Sequence, residues 1–137
     1  MTEYYLWLLQ LMGPANPESH AVLQTYGSAK QAYTAIKEKG DTSLLTPAAK
    51  KRLETATLEN AELILRHCKK KNIRIAVLDG EDYPYRLRNI YNPPIVLFYK
   101  GTLKGLDNEI CVGGVGARDA TEYTAKLTRR TCVDLAR

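Results

Sequence analysis

One pattern near the C-terminal end limits the fold more than any other. An apolar run, Ile110 to Val115, contains Gly113-Gly114 and leads through Gly116 into a helical pattern over 120–137, with Ala125, Leu127, Cys132, Val133 and Leu135 as its apolar members. Strand, glycine turn and helix in that order open a parallel α/β sheet, and such a sheet needs several further crossovers to bury both its faces. The sequence ends at Arg137, inside that first helix. The expectation is therefore a fragment of a longer protein, or else a C-terminal third that relies on a partner for shelter.

Upstream the period is that of helices. Tyr4, Leu8 and Leu11, flanked by Tyr5, Leu9 and Met12, form a stripe that Gly13-Pro14 ends. Asn16-Pro17 reads as an N-cap followed by proline at the first helical position, opening a helix that carries Ala21, Val22, Leu23 and Tyr26 and stops at Gly27. Ser28 caps a third helix, with Ala29, Ala32, Tyr33 and Ile36 inside and Gly40 as its stop. Thr46-Pro47 repeats the signature and predicts one long helix to about Lys71, with Leu53, Ala56, Ala61, Ile64, Leu65 and Cys68 buried. Residues 1–71 are thus expected to form a four-helix bundle.

At Ile73 the period switches to two: Ile73, Ile75 and Val77 alternate with Arg74 and Ala76, as in a strand. Asp79-Gly80 is a turn, residues 83–90 suit a short helix set by Pro84, and Asn92-Pro93-Pro94 leads into a strand over Ile95 to Tyr99. Residues 101–108 read as a loop. The second domain, 72–137, is accordingly α/β and the whole chain mixed α+β or α/β.

Composition excludes some classes. The chain is 45% hydrophobic and 26% charged, which rules out wholesale disorder. No apolar run approaches the roughly 20 residues of a membrane span, and the N-terminus carries Glu3 where a secretory signal is basic. A cytoplasmic protein without membrane contact is expected. Cys68, Cys111 and Cys132 match neither a zinc spacing nor a disulfide framework and are expected as free thiols. A net charge of +5 favours polyanionic partners without requiring them.

Chemistry concentrates at the glycine turn. Glycines let backbone N–H groups approach an anion, the following helix adds the positive end of its dipole, and Arg118 offers a planar, permanently charged fork suited to phosphate. The dinucleotide fingerprint is incomplete, because Asp119 stands where its third glycine belongs. Lys126, Arg129, Arg130 and Arg137 follow; the first three can share one helix surface and track phosphates beside Arg118. A second basic group, Arg66, Lys69, Lys70 and Lys71 with Arg74 beyond, has the simpler explanation of complementing a helix C-terminus. Lys50, Lys51 and Arg52, near a helix N-terminus, hint at a partner instead. Tyr4, Tyr5, Tyr26 and Tyr33 are expected in the core or at its rim, and Tyr83, Tyr85, Tyr91 and Tyr99 in packing. Only Tyr123 lies beside the turn. His20 and His67 lack partners at metal or triad spacing, and turn chemistry accounts for Asp79, Glu81 and Asp82. No catalytic residue, metal site or cofactor is implied.

Asp82-Tyr83-Pro84-Tyr85-Arg86-Leu87, followed by Pro93-Pro94-Ile95-Val96-Leu97-Phe98-Tyr99-Lys100-Gly101, resembles the DprA/Smf family of DNA-processing proteins. In that family a Tyr-Pro-x-x-Leu segment precedes a Pro-Pro-x-x-Leu strand ending in glycine. An Ile-Val-Gly-Ser-Arg turn comes next, and then Ser-x-Tyr-Gly. Val115-Gly116-Ala117-Arg118 and Thr121-Glu122-Tyr123-Thr124 occupy the last two places, with Ala117 for the serine and Thr124 for the glycine. The resemblance implies a SAM-like or helix-hairpin-helix-like bundle followed by the beginning of an extended Rossmann-like domain. It implies a protein, not an enzyme, that binds single-stranded DNA during natural transformation, helps load RecA and dimerises through a region missing here. Its DNA pocket carries over to Gly116, Ala117 and Arg118. Two alternatives stand beside it: a nucleotide-processing hydrolase of the related LOG type, whose Pro-Gly-Gly-x-Gly-Thr signature is absent from this sequence, and a helical protein-interaction module.

Overall fold

The computed structural model describes residues 1–135, which divide into two compact units, Met1–Asp107 and the described residues from Asn108 on. The first unit orders five helices before its hairpin: α1 (Thr2–Met12), α2 (Glu18–Tyr26), α3 (Ala29–Tyr33), α4 (Pro47–Arg52) and α5 (Leu58–Lys70). Strands β1 (Arg74–Val77) and β2 (Val96–Tyr99) flank the four-residue helix α6 (Tyr85–Arg88). The second unit contains α7 (Glu122–Leu135). The chain is an α+β protein, and no helix among the described residues is long and apolar enough to cross a membrane.

Ser28 and Thr46 cap as their positions predict, whereas α2 starts one residue later than expected, with Pro17 rather than Asn16 at its cap position. Asn16 Oδ1 accepts the Glu18 N–H at 3.0 Å, Ser28 Oγ the Gln31 N–H at 3.2 Å and Thr46 Oγ1 the Ala49 N–H at 3.2 Å. Gly27 and Gly40 end their helices at φ +79° and +75°, a region closed to most side chains. Past Tyr33, α3 widens into a π-helical turn over Thr34–Glu38.

The first helix is more enclosed than a stripe. Tyr5, Leu6, Trp7 and Leu8 are buried in succession, together with Leu11 and Met12. A helix apolar all round belongs at the centre of its unit, and α1 packs against α2, α3, α4, α5 and both strands. Tyr33 meets the Trp7 ring edge-on at 4.9 Å and the Tyr4 ring at 5.5 Å.

The single long helix expected over 46–71 is two helices. The buried indole of Trp7 donates to the Ala56 carbonyl at 3.1 Å, which takes that carbonyl out of any helical ladder. Thr57 then caps the new helix, accepting the Asn60 N–H at 3.1 Å. The expected inner residues Ala56, Ala61 and Cys68 are nonetheless buried, and Leu53, Ile64 and Leu65 half-buried.

The sheet also departs from expectation. β1 and β2 pair antiparallel, with Arg74 opposite Tyr99 and Val77 opposite Val96. Residues 110–115 form no strand: they are irregular and exposed. A strand needs a neighbour for its backbone groups and a face to bury, and Gly113-Gly114 contribute no side chains to such a face. The period change near residue 72 marks the start of β1, whose Ala76 and Val77 share one core with α1.

Candidate nucleic-acid interface

The family-like segment 82–101 does architectural work. Tyr83 is buried and donates its O–H to the Pro94 carbonyl at 2.7 Å, joining the Tyr-Pro end of the segment to its Pro-Pro end. Burial pushes that phenol above its usual pKa. Arg88 lies over the Tyr83 ring at 5.8 Å and donates to the Gly80 carbonyl at 2.9 Å. Asp107 accepts the N–H groups of Arg86 and Tyr85, each at 2.8 Å, which holds its carboxyl below the ordinary range. His20 bonds the Pro93 carbonyl at 2.8 Å, and Tyr5 donates to Asp79. Both side chains are structural. Tyr99 packs as expected, but Tyr85, at the start of the one-turn α6, and Tyr91, in the bend beyond it, are exposed.

The basic groups separate by what they touch. With the long helix broken, Lys50, Lys51 and Arg52 occupy the last turn of α4, where the dipole favours cations. Arg52 also donates to the Leu11 carbonyl at 3.1 Å, closing the end of α1. The hint of a partner at this group loses its basis.

In the second unit Gly116, Ala117 and Arg118 lie on an exposed, irregular turn ahead of α7. Thr121 caps that helix: its Oγ1 accepts the Thr124 N–H at 3.2 Å and lies 2.8 Å from the Thr124 hydroxyl. Thr124, which departs from the family's glycine, thus takes part in the cap. Gly116 and Ala117 line a hollow of about 550 Å³ with Thr121, Thr124 and Arg129, and Asp119 shares it. Arg118, Lys126 and Arg130 lie outside this lining. Lys126 pairs with Glu122 at 2.7 Å and Arg130 with Asp134 at 3.8 Å, whereas Arg118 and Arg129 form no ion pair among the described residues. Arg137 lies outside the described residues. The arrangement offers two unpaired guanidinium groups, two threonine hydroxyls and glycine-flanked backbone to an anion. Sequence reasoning missed Thr121 and Thr124, although their i, i+3 spacing is that of a capping pair.

Among the described residues no three His, Cys, Asp or Glu side chains converge to hold a metal, and Cys68, Cys111 and Cys132 form no disulfide.

Residues 74–137 match the family described as DNA recombination-mediator protein A. The chain is similar to DNA processing protein DprA of Bacillus subtilis (strain 168), at 30% identity over 74 residues, covering 54% of this chain and 25% of the relative. It is similar to Protein Smf of Borreliella burgdorferi at 30% identity over 80 residues, covering 58% of this chain and 25% of the relative. The matched stretch therefore spans a quarter of the length of these relatives. No solved structure matches the chain significantly.

Proposed function

We propose, from the match of residues 74–137 to the DNA recombination-mediator protein A family, that this chain is a non-catalytic module that binds single-stranded DNA as part of a DNA-processing protein. Residues 72–137 open a Rossmann-like domain, and the contact is made at Gly116, Ala117 and Arg118, with Arg129 beside them and Lys126 and Arg130 on the same helix. The observation that carries the reading is the hollow shared by Gly116, Ala117, Thr121, Thr124 and Arg129 at the capped start of α7. Backbone N–H groups and hydroxyls fix a phosphate in place while guanidinium groups neutralise it, and none of these contacts reads a base. Binding is therefore sequence-independent and steeply salt-sensitive. Loading of RecA, dimerisation, a role in natural transformation and a cytoplasmic location belong to the same proposal.

Fluorescence anisotropy of a labelled single-stranded oligonucleotide, with a duplex control, tests it. Arg118→Ala is expected to weaken binding several-fold, and Lys51→Ala, on α4, to leave it nearly unchanged. Equal losses from the two would leave only diffuse charge and end the case for a site at the turn. Turnover of a nucleoside monophosphate by the same chain would favour the hydrolase instead.

A further inference from the structure

The most concentrated positive charge of the described chain belongs to the first unit and includes no residue of the glycine turn. Arg66, Lys69, Lys70, Lys71 and Arg74 fall within nine consecutive positions that hold no carboxylate. All five are exposed. Arg66 approaches Glu62 at 3.9 Å; Lys69, Lys70, Lys71 and Arg74 make neither an ion pair nor a side-chain hydrogen bond among the described residues.

Complementing the C-terminus of α5 does not account for them. Three carbonyls of that last turn are satisfied by backbone: Lys71 N–H donates to His67 at 3.1 Å, Asn72 N–H to Lys69 at 3.2 Å and Ile73 N–H to Cys68 at 2.8 Å. Asn72 turns the chain at φ +53°, so the cap closes without any ammonium group. Elsewhere in this unit cations do perform such work. Arg52 closes α1, and Lys37 donates to the Leu53 carbonyl at 2.8 Å. The residual dipole of one helix end is served by a single charge, and four are present without a partner.

A groove of about 460 Å³ runs between α5 and β1 beside these cations. Its floor is apolar, from Leu65, Ile73 and Ile75, and its rim carries Lys69, Asn72 and Arg74. An apolar floor with cationic edges suits a chain that alternates flat, weakly polar bases and sugars with phosphates. A free phosphate would have no use for the floor.

We infer that the groove between α5 and β1 is a second contact surface for single-stranded nucleic acid, with Lys69 and Arg74 on its phosphates and Lys70 and Lys71 extending the path. This rests on the proposed function for the choice of polymer, and it uses no residue of the glycine turn.

The experiment is a salt titration of labelled oligothymidylate binding by the full chain, Arg118→Ala and three double variants. Lys69→Glu with Arg74→Glu is expected to weaken binding at least tenfold and to flatten the dependence of log K on log salt by about 0.7 per lost contact. Lys50→Glu with Lys51→Glu makes the same change in net charge on α4 and is expected to cost under threefold. Lys69→Gln with Arg74→Gln, with unchanged far-ultraviolet circular dichroism, guards against misfolding and is expected to give an intermediate loss. Equal effects of the two charge-reversal pairs would overturn the inference, since net charge alone would then explain binding. So would unaltered binding by the Lys69/Arg74 variants while Arg118→Ala loses affinity, and that result would leave the turn intact. The reverse pattern would uphold the groove and refute the turn. Capture by phosphatidylserine vesicles without oligonucleotide binding would overturn both.

Discussion

Helices α1 and α7 differ little in length and both carry apolar residues at helical spacing, yet they end in opposite circumstances. In α1, Leu6, Trp7, Leu8 and Leu11 are wholly enclosed. In α7 no residue is buried, and Leu127 and Leu135 are at least half exposed. The difference lies in company rather than pattern. Within residues 1–107, four other helices and two strands pack on α1, while the described residues from 108 on supply irregular chain alone. A hydrophobic period therefore states which face a helix would bury, and burial follows only where other elements cover that face. What holds α7 is local: the Thr121 cap and the i, i+4 pairs Glu122–Lys126 and Arg130–Asp134. Exposed pairs of this kind contribute about 0.3–0.5 kcal/mol each.

The contrast can be broken most directly by truncation. Leu8→Ala is expected to lower the stability of the first unit by about 2–5 kcal/mol, through lost transfer energy and an unfilled cavity. Leu127→Ala should change stability by under about 0.5 kcal/mol. Urea denaturation of both variants checks this, and a comparable loss from Leu127→Ala would mean that α7 is covered after all. A smaller effect sharpens the picture inside the first unit. Tyr83→Phe keeps the buried ring but orphans the Pro94 carbonyl, so a loss of about 1 kcal/mol is expected in the same assay.

The smallest expected effect concerns pH. The N–H groups of Arg86 and Tyr85 lower the Asp107 pKa in the folded chain, so the folded state binds its proton less tightly than the unfolded state does. Its contribution is fully present above the unfolded carboxylate value, about 3.9, and is lost as pH falls through the lower folded value. Asp107→Asn should flatten the acid limb of a stability–pH curve; an unchanged limb would show that the contact is not maintained in solution.

Local chemistry made much of this legible in the sequence. Ser28 and Thr46 cap where their spacing places them, and the alternation at 73–77 becomes a strand. What escaped was long-range. Nothing near Ala56 announces that an indole 49 residues earlier will claim its carbonyl, so the break between α4 and α5 was invisible, and with it the true setting of Lys50 to Arg52. The antiparallel pairing of β1 with β2 was equally hidden, because alternation fixes faces and leaves partners open. At the candidate site, Gly116 to Arg118 and the α7 cations could be read from residue type. The ion pairs that engage Lys126 and Arg130 while leaving Arg129 unpaired needed side-chain positions.

The buried indole has one more consequence. Trp7 is the only tryptophan in the chain, and its ring is sealed within the first unit. Its emission is thus an optical record of that unit's core, shifting to the red when the core opens. Far-ultraviolet ellipticity sums helices from both units. Melting followed by both signals at once would show directly whether the two units come apart as one cooperative body or as two.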